Sequence, residues 1–193
     1  MSLLDFGKLN AAGNAKQTDP RKIFTTLKRE ARFKRPLDKQ ADVLDGWYSR
    51  RTARDLTIKM NTGGGKTVVG LLCLQSSLNE GVRPAVYITP DNFLVSQVLE
   101  EALQLGIPAT DDEEDAEFLA GRSILVVNVH KLFNARSVFG VGENKIPLGC
   151  VVIDDAHACL SVVQEQFSIR IPRYEPYPRP VLRGGMPRPA AFS

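Results

Sequence analysis

Three short runs rich in Val and Ile constrain the fold most: PAVYIT (Pro84 to Thr89), SILVVNV (Ser123 to Val129) and CVVID (Cys150 to Asp154). None alternates with polar residues as a half-solvated strand would, so both faces of each must be covered. Each run passes into a helical pattern. A helix is expected from about Asp91 to Leu105 with Asp91 as its cap, a short helical piece in HKLFNA, and another helix in DAHACLSVV. Such alternation predicts an α/β domain, its mostly parallel sheet flanked by helices and its ligand groups at the C-terminal ends of the strands. Earlier in the chain, Arg21 to Glu30 has helical spacing in Ile23, Phe24 and Leu27. Pro36 interrupts it, and an amphipathic helix follows from about Leu37 to Arg51. With 193 residues, 43% of them hydrophobic, the chain has room for one such domain and not two.

The strongest chemical motif is MNTGGGKT, Met60 to Thr67. DLTIKM (Asp55 to Met60) reads as a short buried strand and VVGLLCLQSS (Val68 to Ser77) as an apolar helix, so the glycines fall at a strand-to-helix turn. Gly63, Gly64 and Gly65, preceded by Thr62, can turn successive N–H groups onto phosphate oxygens at the positive end of the helix. Lys66 would reach the β and γ phosphates, and the Thr67 hydroxyl would hold Mg²⁺. One position departs from G-x-x-x-x-G-K-[ST], since Met60 stands where the pattern has glycine.

A second constellation follows the last apolar run, where Asp154 and Asp155 sit side by side in VVIDDAH. Mg²⁺ takes oxygen ligands and keeps several waters, so a carboxylate at a strand end can grip it beside a phosphate loop, a role that suits Asp154. Asp155 could orient and deprotonate an attacking water. The plainer alternative is an Asp pair that caps the next helix.

GGGKT, then YITP, then IDDAH together resemble the first RecA-like domain of a superfamily 2 helicase of the DEAD/DEAH-box type, over about Arg21 to Ile171. The resemblance implies a RecA-like P-loop NTPase domain over residues 21–172, incomplete at the C-terminus, with ATP and Mg²⁺ as cofactors. It also implies Lys66, Asp154 and Asp155 as catalytic residues. Gln40, in RPLDKQADVLDGWY, would contact the adenine edge with Phe24 stacking on the ring, or would be an ordinary surface glutamine. Thr89 and Pro90 match a loop that touches a nucleic-acid backbone. Asn128, Val129 and His130 match a later one, although His130 could equally cap the short helix. His157 would couple the ATP site to the cleft between domains. Asp155 replaces the family's glutamate, no Ser-Ala-Thr segment follows Asp154, and the second RecA-like domain has no room here.

The remaining features bear on context. A net charge of +3 permits DNA or RNA as a partner without demanding it, and the acidic run DDEED (Asp111 to Asp115) reads as a solvated face. Cys73, Cys150 and Cys159 lack metal or disulfide spacing and read as buried thiols. With no membrane-length apolar stretch and no signal pattern, the expected compartment is the cytoplasm. Residues 1–20 are expected to be flexible, and the Pro/Arg-rich residues 173–193 a disordered tail or the product of a truncation or frameshift. Two functions stand out: the ATP-binding domain of a helicase whose second RecA-like domain would lie on another polypeptide, and a non-catalytic, nucleotide-dependent interaction module. A small kinase or GTPase ranks last, for want of a guanine-reading segment.

Overall fold

The computed structural model describes residues 16–30, 38–61, 63–133, 139 and 146–168. In chain order the elements are α1 (Pro20–Thr26), α2 (Asp38–Arg50), α3 (Lys66–Asn79), β1 (Ala85–Thr89), α4 (Asn92–Leu105), β2 (Ala109–Thr110), α5 (Ala116–Leu119), β3 (Ile124–Asn128), α6 (Val129–Leu132), β4 (Cys150–Ile153) and α7 (Ala156–Gln166). The four strands form one sheet in the order β2-β3-β1-β4, and every pairing is parallel. β1 is central, with Tyr87 opposite Val126 on one side and Val152 on the other.

Alternate residues of the strands feed two apolar layers. Ala85, Tyr87, Ile124 and Val126 join a large core with α1 to α4, whose deepest side chains include Phe24, Leu44, Leu71, Leu72, Leu74 and Leu105. Val86, Ile88, Leu125 and Val127 meet Phe118, Val129 and Cys159 on the opposite face. Strands covered on both faces are therefore uniformly apolar, which is why their runs stood out. β4 is covered less well. Cys150 and Val152 pack toward the large core, whereas Val151 and Ile153, on the other face, are 36% and 51% exposed.

Helix ends follow local chemistry. Asp91 caps α4 by accepting from Leu94 N at 2.9 Å, as its position predicts, and Gly106 closes that helix in the left-handed region. Asp19 caps α1, and α1 ends where Arg29 folds back, its guanidinium 4.5 Å above the Phe24 ring and donating to the Phe24 carbonyl at 2.7 Å. The chain ahead of α1 is held on α3, where Asn79 Nδ2 donates to the Gln17 carbonyl at 2.6 Å and Ser76 Oγ to that of Thr18.

Two expectations are corrected. Asp55 to Met60 is not a buried strand: it pairs with nothing in the sheet, Asp55 to Lys59 are exposed, and Leu56 and Ile58 project outward near Trp47 of α2. Alternating apolar residues suit a strand, but a strand exists only with a partner ladder. Asp55 to Met60 does not use the one available next to β4, whose outer edge has no partner among the described residues. The acidic run is also more than a solvated face, because Asp115 caps α5 through Phe118 N at 2.8 Å and Glu113 pairs with Lys131 at 3.2 Å. Residues 1–15 and 173–193 lie outside the described residues.

Candidate functional site

The C-terminal ends of β1, β3 and β4 and the N-terminus of α3 lie on the same side of the sheet, where a parallel α/β fold gathers its chemistry. The glycine turn leads into α3 with Gly63 at φ 77° and Gly65 at φ 71°; Thr62 lies outside the described residues. Gly65 is the N-cap of α3 and has no side-chain cap, so nothing from a capping side chain occupies the donors of the first turn. Uncapped N–H groups at the start of a fourteen-residue helix form an anion-binding end. Lys66, the first residue of α3, is exposed, and Thr67 is half-buried.

Gln40 braces this turn from α2. It is 6% exposed, and its Nε2 donates to the carbonyls of Gly64 at 3.1 Å and Gly65 at 3.4 Å. Gly65 is called for by its positive φ, and a Cβ there, 2.0 Å from that nitrogen, would push the Gln40 amide off the turn. The surface-glutamine alternative is overturned. Phe24, in turn, is 1% exposed in the core beneath Arg29, which leaves no open ring face for an adenine.

Asp154 follows β4 directly. Its N–H donates to the Ile88 carbonyl at 2.8 Å, extending the β1–β4 ladder by one bond, and its Oδ1 accepts from Asp155 N at 3.0 Å. Thr67 and Asp154 line one open cleft of about 290 Å³ together with Gln97, Glu100, Glu101 and Gln104 of α4. Tyr87 of β1 lies under α3 and is 1% exposed. Burial, reinforced by the Asp154 charge, drives this phenol far above its ordinary range, so it is a neutral hydroxyl at any physiological pH.

Asp155 takes the plainer of its two sequence readings, at least in part. It is the N-cap of α7, with φ 44° and its side chain accepting from Ala158 N at 3.2 Å. Cys159 sits one turn into the same helix and donates from Sγ to the Asp154 carbonyl at 3.2 Å. Burial, then the two neighbouring carboxylates, pushes that thiol up to about 11.

The residues matched to nucleic-acid loops separate into buried and exposed. Thr89 is fully buried, its hydroxyl turned onto the Asp91 carbonyl at 2.9 Å, whereas Pro90 is half-buried. Asn128 caps α6 through Lys131 N at 3.1 Å, so the cap is Asn128 and not His130. Its amide also bonds to Asn92, tying together the loops after β1 and β3. His130 is exposed and bonded to Gln166 of α7, and His157 is exposed. Sequence reasoning passed over Phe93, which is 71% exposed beside these loops.

Whether Mg²⁺ suits this cleft depends on its donors. Among the described residues no group of three or more His, Cys, Asp or Glu side chains is placed to hold a metal ion. A hard cation that relies on one carboxylate, one hydroxyl, water and phosphate oxygens is the kind that fits, and Thr67 and Asp154 supply that pair.

The chain belongs to the DEAD/DEAH box helicase family, whose model matches residues 38–179, well over half of its length. No curated protein and no solved structure matches it. Membership brings a nucleotide-binding function of the helicase type, and the all-parallel sheet is consistent with a RecA-like domain. No helix among the described residues is long and apolar enough to cross a membrane.

Proposed function

We propose that residues 21–172 form the ATP- and Mg²⁺-binding domain of a nucleic-acid-dependent helicase or translocase, with weak or no unwinding on its own. The observation that carries this reading is the meeting of Thr67 and Asp154 in one cleft beside the uncapped N-terminus of α3. In it the N–H groups of Gly63 to Thr67, with Thr62, cradle the phosphates, and Lys66 neutralises the terminal one. Thr67 and Asp154 hold Mg²⁺, which supplies charge neutralisation on the phosphates when bound. Asp155 orients the attacking water, and Gln40 keeps the glycine turn in place from below. Single-stranded DNA or RNA passes over Pro90, Asn128 and His130, with the buried Thr89 fixing the loop from inside.

Unwinding needs two domains that close and open around ATP, so a second RecA-like domain on another polypeptide would complete the motor. An arginine finger from such a partner is worth about 10³ to 10⁵ in rate, and turnover by this chain alone should be correspondingly slow. The test is ATP binding and hydrolysis by the purified chain, with and without Mg²⁺ and single-stranded nucleic acid. Binding abolished by Lys66→Ala is expected. Robust strand displacement by the chain alone would overturn the claim of dependence on a partner.

One observation favours a second reading, a nucleotide-dependent interaction module without catalysis. The segment ahead of the glycine turn is not anchored in the sheet, and Asp155 is engaged as a helix cap. A Lys66→Ala chain that retains every partner interaction and biological effect would support this alternative.

A further inference from the structure

Gln40 and Phe24 are the residues expected to meet an adenine, and both are turned inward. Gln40 is buried against the glycine turn, its Nε2 donating to the Gly64 carbonyl at 3.1 Å and to that of Gly65 at 3.4 Å. A glutamine amide nitrogen has two protons, and two carbonyls take them. Both partners are acceptors, so only the nitrogen end of the amide can face the turn. Phe24 is buried in the large core with Ile23 and Leu44. The Arg29 guanidinium above its ring is itself tied down, donating to the carbonyls of Phe24 at 2.7 Å and of Thr25 and Leu27 at 3.3 Å.

We infer that Gln40 is a positioning residue for the phosphate loop and does not read the base, so that the site takes a nucleoside triphosphate by its phosphates, purine or pyrimidine alike. Adenine is told from other bases at the edge that carries the N6 donor and the N7 acceptor, and a glutamine reads that edge with both ends of its amide at once. Nε2 is the end that would meet N7, and it is already spent on the turn. Freeing it would strip a donor from two carbonyls in the same loop whose N–H groups must converge on the phosphates. Holding the loop and reading the base therefore compete for one amide. The loop has the stronger claim, because its ligand is a polyanion that meets the uncapped start of α3 and the exposed Lys66, whereas the base offers a neutral edge. Stacking adds no choice between bases here, since the Phe24 ring can reach a ligand only by leaving the core.

The inference rests on the nucleotide-site reading proposed above, and the experiment tells the two failures apart. The Mg²⁺ complexes of ATP, GTP, CTP and UTP are each titrated into the full wild-type chain by calorimetry. A bidentate amide contact to a base is worth about fivefold in affinity or more, so the four nucleotides are expected to bind within about fivefold of one another. A larger preference for any one base overturns the inference and leaves the nucleotide site standing. If none of the four binds, the nucleotide-site reading falls and the inference with it. This series needs no variant to fold. Gln40→Ala then separates the two duties of the amide: all four affinities should drop by a common factor of about tenfold, as the loop loses its brace. A loss confined to ATP would mean that Gln40 reads adenine, and no loss with any nucleotide would remove it from the support of the loop; either result overturns the inference.

Discussion

Asp155 carries three duties at one position, and substitution can separate them. Among the described residues it is the one non-glycine residue with positive φ, at 44°; it caps α7 through Ala158 N, and it holds a carboxylate next to Asp154. Asparagine keeps a capping oxygen and tolerates the left-handed region, so Asp155→Asn should change stability by less than about 0.5 kcal/mol. Glycine relieves the backbone and is itself an acceptable N-cap, so Asp155→Gly should cost only a few tenths of a kcal/mol, roughly. Alanine loses the cap, about 1 kcal/mol, and leaves a Cβ in the left-handed region without a local hydrogen bond, roughly another 1–2 kcal/mol. Asp155→Ala should therefore lose about 2–3 kcal/mol, read in urea unfolding as a midpoint lower by about 1 M or more at an ordinary slope.

ATP turnover sorts the same variants differently. All three lack the carboxylate, so if it activates water each should lose about 10² to 10⁴ in rate whatever its stability. Asp155→Ala as stable as Asp155→Gly would refute the backbone argument. Asp155→Asn as unstable as Asp155→Ala would refute the capping argument, and Asp155→Asn hydrolysing at the wild-type rate would remove Asp155 from the chemistry.

Three further outcomes are expected. Gly70→Ala should destabilise the fold by about 1–3 kcal/mol in the same urea assay, because its Cβ would meet the Tyr87 ring at 2.7 Å and Val152 at 3.1 Å in a packed core. The Cys159 thiol titrates near 9.0 when unperturbed and at about 11 in the folded protein, so the folded value is the raised one. Its contribution to stability is intact below pH 9.0 and fades as pH rises through about 11, an alkaline loss that unfolding curves of Cys159→Ala should show in smaller measure. Phe93, exposed beside the loops joined by Asn92 and Asn128, should stack on a base. Phe93→Ala should weaken single-strand binding about tenfold in fluorescence anisotropy at fixed salt, with thermal stability unchanged.

The elements that sequence revealed are those with a strong local cause. The runs from Ala85, Ile124 and Cys150 could satisfy their apolar faces only inside a sheet, and Asp91 could do little else than start a helix. Where a partner decides the outcome, sequence failed in both directions. Asp55 to Met60 has the alternation of a strand but pairs with no ladder, while Ala109–Thr110 is a strand because it pairs with the edge of β3. At the site, the glycine turn, Thr67 and Asp154 were visible as residue types with one use in common. Gln40 was ambiguous until its amide met the turn from a helix distant in sequence. The need for glycine at residue 70 was invisible, because only the fold brings α3 onto the Tyr87 ring and Val152.

The uneven covering of β4 has a consequence for how the sheet can grow. α4 crosses the face toward α3 and carries the chain from β1 out to β2 and β3, away from β4; of the residues on the return from β3 to β4, Val129, Leu132, Phe139 and Ile146 pack on the opposite face. Parallel crossovers keep one hand, so the face a helix lies on fixes the direction in which the chain advances. α7 lies on the return face, through Cys159, Val162 and Val163. A parallel strand reached through α7 would thus arrive at the outer edge of β4, beside Ile153, and its C-terminal end would extend the row of strand ends that holds Asp154.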